Sequence, residues 1–310
     1  MLTALAGGVG GSKLLTGLRH VMHPETGAVV VNTADDEKFY GLHVSPDIDT
    51  IIYQMAGIGD EAKGWGIKDD TFNALEMLSR LGLETWFKIG DRDFATHLYR
   101  TMRLNEGASL TQVTSELAEK LGVSWRILPM SDDPVKTIVE TEIGPLPFQT
   151  YFVKYRYSLK VHDIRFQGIE KAKPGKEVIT ALSSAEYLII PPSNPVVSIG
   201  PILTLPGVRD LLRNSNATIL AVSPIIRGHA LRGPAAELMK SMGYEPSPVG
   251  VADMYHDFLD ILVFDTADEE MAKDVKALGV KPLTTRTIME SFEDRVRLAA
   301  FCLKAIGYRL

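Results

Sequence analysis

The start of the chain alternates short apolar runs with a glycine-rich turn and an amphipathic stretch. Leu2–Ala6 is apolar, Gly7–Gly11 contains four glycines, and apolar side chains then recur at helical spacing as far as Val21. A second apolar run, Ala28–Val31, ends at a polar segment. Strand, turn, helix and strand in this order predict a βαβ unit, with parallel strands and a helix covering one face of the sheet.

The same alternation returns in the second half of the chain. Four further apolar runs have the length and composition of buried strands: Tyr187–Ile190, Thr218–Val222, Ile261–Phe264 and Gly279–Pro282. Helical patterns and polar loops separate them. We therefore predict a single α/β domain over residues 1–310, a Rossmann-like three-layer sandwich with a mostly parallel sheet and inserted segments, whose ligands bind beyond the carboxyl ends of the strands.

Two segments in the middle of the chain depart from this alternation. Residues 60–125 are predicted as a helical insertion, because Asp69–Gly82 and Ser109–Gly122 carry apolar faces and the second begins with a capping-box motif. Residues 137–170 are predicted as a β excursion. Their three β patterns are Thr137–Glu142, Phe148–Tyr155 and Val161–Phe166.

Composition narrows the classes of function. With 33 basic and 39 acidic residues the formal charge is -6, and no dense Lys/Arg run offers a surface for nucleic acid or anionic membrane. Cys302 is the only cysteine, which excludes an internal disulfide and a cysteine-based metal site and indicates a reducing compartment. No long apolar run or signal-like N-terminus is present. We expect a cytoplasmic protein without nucleic-acid or membrane partners.

The turn Gly7–Lys13 is the first candidate for chemistry. Glycines let backbone N–H groups approach a phosphate, and the N-terminus of the following helix favours negative charge. The turn lacks the Gly-Lys-Ser/Thr triplet of a P-loop. It is also an incomplete dinucleotide fingerprint, because Lys13 stands in place of the third glycine and Asn32 in place of an acid after the second strand. We predict a phosphate-binding turn, and a tight turn without a ligand is the alternative.

Carboxylates cluster after the second strand. Asp35 and Asp36 follow it directly, and Asp47 and Asp49 lie in a proline-started loop that also contains Thr50. Carboxylates in such a position can hold Mg²⁺ through one or two oxygens while substrate phosphates supply other ligands. Capping of the apolar segment that follows is an alternative, and it is compatible with metal binding.

Other polar loops also come before helices or after strands. Asp91 and Asp93 flank an arginine before a helical stretch, where they could cap the helix or bracket a substrate hydroxyl, and His97 is expected to pack inside that helix. Pro192–Pro195 and Ser223–Gly228 follow buried strands and offer hydroxyl, amide and backbone groups. No nucleophile triad, zinc motif or HExxH motif occurs, so we predict an enzyme that positions phosphates and a metal.

Together these motifs resemble those of the 2-phospho-L-lactate transferase family, called CofD and, in actinobacteria, FbiA. The matching segments occur in order over most of the chain: Gly7–Lys13, Asn32–Asp36, Ser45–Thr50, Gly64–Gly66, Gly90–His97, Leu128–Pro134, Phe148–Gln149, Pro192–Leu203 and Ser223–Ala235. The resemblance implies Mg²⁺-dependent transfer of a phospholactyl group from lactyl-diphosphoguanosine to the deazaflavin riboside Fo, releasing GMP, in the biosynthesis of coenzyme F-420. Some members use a donor with an enolpyruvyl group.

The resemblance also implies roles for individual residues. The GDP part of the donor would be held by Gly10, Gly11, Ser12, Lys13, Asn32, Ser193, Asn194 and Ser223. Fo would be bound by Asp49, Thr50, Lys88 and Asp91. Asp49 and Asp91 would be catalytic, and Asp35 and Asp49 would bind Mg²⁺. Ala34 and Arg227 depart from the family pattern, in which glycine is frequent at both positions.

Two rival classes are considered beside this one. YvcK-like regulators bind sugar nucleotides and share the glycine-rich start, but typically carry a DDGGSSG-like run where this chain has Asp35-Asp36 followed by Glu37–Tyr40. An NAD-dependent dehydrogenase would need the fingerprint that this chain lacks. We expect the transferase, acting as a homodimer on small-molecule substrates.

Overall fold

The computed structural model describes residues 1–23 and 26–309, which form fourteen strands and twelve α-helices. The strands are β1 (Leu2–Ala6), β2 (Ala28–Val31), β3 (Glu37–Phe39), β4 (Leu42–Val44), β5 (Arg126–Pro129), β6 (Lys136–Thr141), β7 (Gly144–Pro147), β8 (Val161–Gln167), β9 (Tyr187–Ile190), β10 (Thr218–Val222), β11 (Ile225–Ile226), β12 (His229–Ala230), β13 (Ile261–Asp265) and β14 (Lys281–Thr285).

The helices are α1 (Gly8–Met22), α2 (Pro46–Ala56), α3 (Asn73–Arg80), α4 (Asp91–Asn105), α5 (Leu110–Lys120), α6 (Lys176–Ser183), α7 (Gly200–Thr204), α8 (Val208–Arg213), α9 (Ala235–Ser241), α10 (Pro248–Tyr255), α11 (Ala272–Ala277) and α12 (Phe292–Ala305). None of them, within the part of the chain that the structure describes, is long and apolar enough to span a bilayer.

Seven parallel strands form the central sheet, in the order β5–β2–β1–β9–β10–β13–β14. The chain first builds the sheet from β1 through β2 to β5, and then returns to the other side of β1 with β9. Ala4, for example, pairs with Val29 on one side and Ile189 on the other. The strand order reverses between β1 and β9, which is the point at which doubly wound sheets bind their ligands.

Helices cover both faces of this sheet. Along β1, Ala4 and Ala6 face the core formed with α1, α2, α5 and α12, whereas Leu5 faces the opposite core. That second core is formed with helices α6 to α11. Because successive side chains of a strand point to opposite faces, a sheet buried on both sides needs continuous apolar runs. The predicted three-layer α/β sandwich is therefore confirmed.

The segment 60–125 contains α3, α4 and α5. The capping box of α5 forms as predicted: the Ser109 hydroxyl accepts from the Gln112 N–H at 3.2 Å, and the Gln112 side chain accepts from the Ser109 N–H at 2.9 Å. The helix predicted over Asp69–Gly82 is shorter, since α3 begins at Asn73, and Leu75 is its only fully buried residue. Asp69 lies before it with a φ of 55°, outside helical geometry.

The β excursion forms a separate antiparallel sheet of three strands, in the order β7–β6–β8. The predicted strand Phe148–Tyr155 is wrong, because Thr150–Lys154 is a π-helical turn and the third strand is the preceding β7. Phe148 and Tyr151, three residues apart, are both buried in the core, as a helical turn requires. The two prolines of β7 are tolerated because β7 is an edge strand.

Close packing of α1 against α12 generates a test of this fold. An added Cβ at Gly17 would lie 2.3 Å from the Arg295 carbonyl oxygen, a backbone atom that cannot rotate away. Gly17→Ala should therefore lower the free energy of unfolding by about 1–3 kcal/mol. This loss should occur although alanine has a helix propensity roughly 1 kcal/mol more favourable than that of glycine. Urea unfolding measures the change. Gly175→Ala is the control, since its Cβ would have no neighbour closer than 3.6 Å, and equal costs for the two variants would contradict the packing argument.

Candidate active site

A large cleft of about 1260 Å³ opens at the carboxyl ends of the central strands. The loops after β1, β2, β9, β10 and β14 line it, together with the first two turns of α2. The segment 61–66 and an aromatic segment that includes the π-helical turn complete its walls. The cleft thus lies where the reversal of strand order predicts a ligand site.

The loops after β1 and β9 are in direct contact at the base of the cleft. The Ser193 hydroxyl accepts from the Gly7 N–H at 3.2 Å and donates to the Gly7 carbonyl at 2.8 Å. An added Cβ at Gly10 would lie 2.2 Å from the Pro192 carbonyl, and one at Gly11 would lie 2.6 Å from the Ser193 hydroxyl. The glycines are therefore required for packing between two loops, besides leaving N–H groups at the start of α1 without intrahelical partners.

Ser12 and Lys13, which follow these glycines, point in different directions. Ser12 is fully buried, and its hydroxyl donates to the Val9 carbonyl at 2.9 Å. Lys13 lines the cleft, and its ammonium group donates to the Met289 carbonyl at 2.8 Å. Burial lowers the pKa of Lys13, and the neighbouring cations Arg295 and Arg232 lower it further. Only the lysine is placed to meet a ligand with its side chain.

Asn32, at the end of β2, joins two buried carboxylates. Its side-chain amide donates to Asp35 Oδ2 and to Asp47 Oδ2, each at 3.0 Å. Asp47 Oδ1 accepts from the Gly8 N–H at 2.8 Å, so this carboxylate also caps α1. The residue that the structure joins to Asp35 is therefore Asp47, whereas the sequence prediction paired Asp35 with Asp49.

Among residues 1–23 and 26–309, no cationic side chain neutralises this pair of carboxylates. Burial raises the pKa of Asp35 well above its usual value, and the charge of Asp47 raises it further. Burial also raises the pKa of Asp47 to about 6, against the lowering effect of hydrogen bonds from Asn32 and Gly8. Asp35 Oδ1 is buried without a hydrogen-bond partner among the described residues. Two oxygen-rich, under-neutralised groups fit a hard divalent cation such as Mg²⁺.

Asp49 has a different environment. Arg100, fully buried in α4, grips both oxygens of Asp49: Nη1 donates to Oδ2 at 3.0 Å and Nη2 donates to Oδ1. Asp49 also lines the cleft. A bidentate arginine neutralises this carboxylate and fixes its orientation. Asp49 can therefore offer an oriented oxygen to a ligand. Unlike the charges of Asp35 and Asp47, its negative charge is already balanced by a cationic side chain.

A further polar group lies next to this ion pair. His97 Nε2 is 3.1 Å from Asp93 Oδ1, and the Tyr53 hydroxyl donates to the same oxygen at 2.8 Å. His97, Asp93 and Tyr53 are all buried and all line the cleft. His97 does hydrogen-bond within its helix, as expected, but its contact is with a carboxylate on the cleft wall. The sequence analysis left Asp93 open between helix capping and contact with a substrate hydroxyl, and it did not assign Arg100 or Tyr53 to the site.

The structure places Asp91 outside the lining of the cleft. Its carboxylate accepts from the Thr71 hydroxyl at 2.6 Å, from the Asn73 N–H at 3.0 Å and from the Ala74 N–H at 2.9 Å. These bonds lower the pKa of Asp91 to about 2 and hold the start of α3 against the start of α4. Of the two alternatives for this loop, helix capping describes Asp91, whereas its neighbour Asp93 faces the cleft.

The remaining predicted residues also line the cleft, and two of them are held by hydrogen bonds within their own loops. Lys88 and Thr50 lie on its wall. The Asn194 side-chain oxygen caps the following turn by accepting from the Val196 N–H at 2.9 Å, and the Ser223 hydroxyl accepts from the Ile225 N–H at 3.1 Å. These two side chains therefore also stiffen their loops.

Arg227, one of the departures from the family pattern, lies outside the lining of the cleft and is exposed. Its φ of 49° is in the left-handed region, which explains why glycine is favourable at this position. The Arg227 N–H donates to the buried Asp268 carboxylate at 3.0 Å, so its backbone is held in this conformation.

The rim of the cleft carries cations that sequence patterns did not identify. Arg232 donates to the carbonyls of Lys63 at 3.0 Å and Ala62 at 3.1 Å, so it joins two rim loops. Arg295, buried in α12, forms a bidentate pair with Glu61 at 2.8 and 2.9 Å. Lys13 and Arg232 therefore give the cleft lining positive charge, whereas Arg295 lies outside the lining and is neutralised by Glu61.

Aromatic side chains form another part of the cleft lining. Phe148 and Phe152 stack with ring centroids 5.4 Å apart, and Tyr157 stacks on Phe152 at 5.8 Å. Trp86 and Trp65 also line the cleft. Stacked faces of this kind accommodate a flat aromatic ligand. The cleft therefore combines a phosphate-compatible end, a pair of acids and an aromatic wall.

The fold defines the first level of relationship. A solved structure of a UPF0052 family member from Bacillus halodurans superposes with a TM-score of 0.63 at 16% identity, covering 97% of this chain and 98% of that one. At this identity the likeness concerns the fold alone. It is a Rossmann-like α/β fold of the same extent as the whole chain.

Sequence comparison then defines the family. The family model for 2-phospho-L-lactate transferase CofD matches residues 2–294. A 2-phospho-L-lactate transferase of Methanosarcina mazei is 41% identical over 300 residues, covering 97% of this chain and 98% of that protein, and one of Methanocaldococcus jannaschii is 38% identical, covering 99% and 98%. A phosphoenolpyruvate transferase of Streptomyces griseus is 38% identical, covering 98% and 97%. The chain belongs to the CofD family of transferases.

The Asp49–Arg100 pair can be tested by its energetics. Arg100→Leu should lower the free energy of unfolding by about 3–5 kcal/mol, because Asp49 would be left buried without its partner. Adding Asp49→Leu to that variant should recover a large part of the loss, since no unpaired charge then remains. Urea unfolding of the two single variants and the double variant gives the coupling energy. Additive losses would show that the two side chains do not depend on each other.

Proposed function

We propose that this protein transfers a 2-phospholactyl group, or its enolpyruvyl counterpart, from lactyl-diphosphoguanosine to the deazaflavin riboside Fo, with release of GMP. This reaction belongs to the biosynthesis of coenzyme F-420. The observation that carries the proposal is the Asp35–Asn32–Asp47 cluster beside the glycine turn, in a chain that belongs to the CofD family. Relatives of similar identity carry the names of both donor types.

The donor diphosphate is assigned to the glycine turn. Backbone N–H groups of Gly10 and Gly11 lie at the start of α1, where the helix dipole favours anions, and Lys13 adds a positive side chain. Ser193, Asn194 and Ser223 line the cleft on the side of β9 and β10. We assign the guanosine part to this side, because the β9 loop is bonded directly to the turn through Ser193.

The metal is assigned to Asp35 and Asp47. Their oxygens point to a shared donor, Asn32, and neither has a cationic partner. Mg²⁺ bound here would supply positive charge against the phosphate oxygens of the donor. Asp49, which the sequence prediction made a ligand, is assigned instead to the acceptor, because its charge is already balanced by Arg100.

The acceptor is assigned to the aromatic side of the cleft. A deazaflavin ring is flat and aromatic, so it can stack on faces such as Phe152 and Tyr157. Its hydroxylated chain would then extend along α2, where Asp49 and Thr50 face the cleft. This arrangement brings an acceptor hydroxyl towards the phosphorus atom held at the start of α1.

The reaction itself should be detected by mixing the protein with Fo, freshly prepared lactyl-diphosphoguanosine or its enolpyruvyl analogue, and Mg²⁺. We expect GMP and a phosphodiester of Fo to form in equal amounts. Chromatography and mass spectrometry would detect both products. EDTA should stop product formation without unfolding the chain, since the carboxylates assigned to the metal line the cleft and the core is formed by apolar side chains. NAD or a UDP-sugar in place of the donor should give no Fo-linked product. Tight binding of a UDP-sugar, with no GDP binding and no GMP release, would favour the regulator class instead.

The ligand assignment separates two neighbouring carboxylates. Asp47→Asn should weaken Mg²⁺ binding to the GDP complex at least tenfold, because it removes one of two anionic ligands. Asp49→Asn should change Mg²⁺ affinity by less than threefold, although it should raise KM for Fo. Isothermal titration of Mg²⁺ into each GDP-loaded variant makes the comparison. A larger loss of Mg²⁺ affinity in Asp49→Asn than in Asp47→Asn would assign the metal to Asp49 instead.

A further inference from the structure

We propose that Asp93 is a catalytic residue, whose carboxylate accepts a hydrogen bond from the attacking hydroxyl of the acceptor and then takes its proton. The inference rests on the transferase function proposed above and adds a residue to it. Asp93 lies at the start of α4, and its side chain is 10% exposed, at the wall of the cleft.

The role of His97 follows from its neighbours. Arg100 Nη1 lies 3.3 Å from His97 Nδ1, and a guanidinium group has only donors. His97 Nδ1 also lies 3.6 Å from Asp49 Oδ2. On the other side of the ring, Nε2 lies 3.1 Å from Asp93 Oδ1. Both ring nitrogens of His97 are therefore engaged within the protein, so His97 orients Asp93 and is not placed to take a substrate proton.

Asp93 is left with one oxygen available. Oδ1 accepts from the Tyr53 hydroxyl at 2.8 Å and faces the His97 imidazole. Oδ2 has no hydrogen-bond donor among the residues that the structure describes. No lysine or arginine pairs with this carboxylate within the described chain, in contrast to Asp49. An oriented carboxylate with a free oxygen at a cleft wall is a suitable acceptor for a proton.

The other acidic residues of the cleft are already engaged. Asp35 and Asp47 share Asn32 and are assigned to the metal, and Asp49 is held by both terminal nitrogens of Arg100. On the opposite rim, Glu61 is paired bidentately with Arg295, and Glu290 lies 3.3 Å from an arginine. Asp93 is the only acid of the described cleft lining without a metal assignment or a cationic partner.

Asp93 also lies on the part of the cleft wall to which the acceptor is assigned. Tyr53 follows Asp49 by one turn of α2, and side chains of a helix lean towards its N-terminus, so the Tyr53 hydroxyl approaches the level of Asp49. Asp93, bonded to that hydroxyl, therefore lies beside Asp49 on the wall that begins at Asp47 and the glycine turn. An acceptor chain that reaches the donor phosphorus along α2 passes this carboxylate.

The chemical step is balanced as follows. The acceptor oxygen forms a bond to the phosphorus that carries the lactyl or enolpyruvyl group. The bond from that phosphorus to the bridging oxygen breaks, and GMP leaves with the bond's electron pair. The hydroxyl proton passes to Asp93 and then to solvent. His97 and Tyr53 act as positioning residues, because they touch Asp93 and not the reacting atoms.

Asp93→Asn provides the main test, since the amide oxygen can still accept from Tyr53 and His97. We expect kcat to fall 10²- to 10⁴-fold, the range of general-base contributions, while the Kd for GDP stays within twofold. Asp257→Asn is the control: Asp257 is bonded to Arg209 and Arg213 away from the cleft, so its loss should reduce stability but not kcat. Retention of more than a tenth of wild-type kcat in Asp93→Asn would overturn the proposal.

Chemical rescue distinguishes a proton acceptor from a structural residue. Asp93→Ala should regain at least tenfold in kcat when formate is added, because the small carboxylate can occupy the vacated position. Formate should not restore any loss in Asp257→Ala. Absence of rescue in a folded Asp93→Ala protein that still binds GDP would assign Asp93 a structural role. If wild-type protein released no GMP with Fo, the proposed function would fail instead, whatever the behaviour of the variants.

Discussion

The structure depends on the close approach of three backbone segments at the point where the strand order reverses. The loop after β1, the loop after β9 and the start of α2 meet around Gly7, where an added Cβ would lie 2.4 Å from Asp47 Oδ2 and 2.8 Å from the Ser198 Cβ. No side chain fits between them. These contacts fix the relative positions of the glycine turn, the Ser193 loop and the buried acid Asp47. Their arrangement determines the shape of the base of the cleft.

This constraint explains why two acids two residues apart have different environments. In a helix, successive residues are rotated by about 100°, so Asp47 and Asp49 point to directions about 200° apart. Asp47 points to Gly8 and Asn32, where burial raises its pKa to about 6. Asp49 points to Arg100, which balances its charge. One helix start thus supplies an under-neutralised acid to the proposed phosphate side of the cleft and a neutralised acid to the proposed acceptor side.

Local patterns were sufficient to predict the layers of the fold and the general place of the site. The apolar runs of β1, β2, β9 and β10 coincide with the observed strands, because strands buried on both faces must be continuously apolar. The glycine turn after β1 was also predicted from local composition as part of the site, and it lines the cleft. The prediction of Phe148–Tyr155 as a strand failed since alternating aromatic residues can equally bury at helical spacing, as Phe148 and Tyr151 do.

Pairings between distant segments could not be predicted in this way. Arg100 lies 51 residues from Asp49, and Arg295 lies 234 residues from Glu61. The sequence around each arginine does not distinguish it from an arginine that is exposed to solvent. The structure joins Asp35 to Asp47, and not to Asp49, for a simpler reason. Pro46 is favourable at the first position of a helix, and recognising α2 there would have shown that the two carboxylates diverge.

The segment Gly90–His97 shows how a short motif can combine separate tasks. Asp91 accepts N–H groups at the start of α3 and so fixes where α4 begins, without lining the cleft. Asp93, two residues further, lies on the cleft wall, and His97 lies one turn beyond it on the same face of α4. Because Arg100 follows one turn later and holds Asp49, a single helical face joins the wall of α4 to the wall of α2. The proposed acceptor side of the cleft is therefore organised by α4, and the proposed donor side by the contact between the β1 and β9 loops.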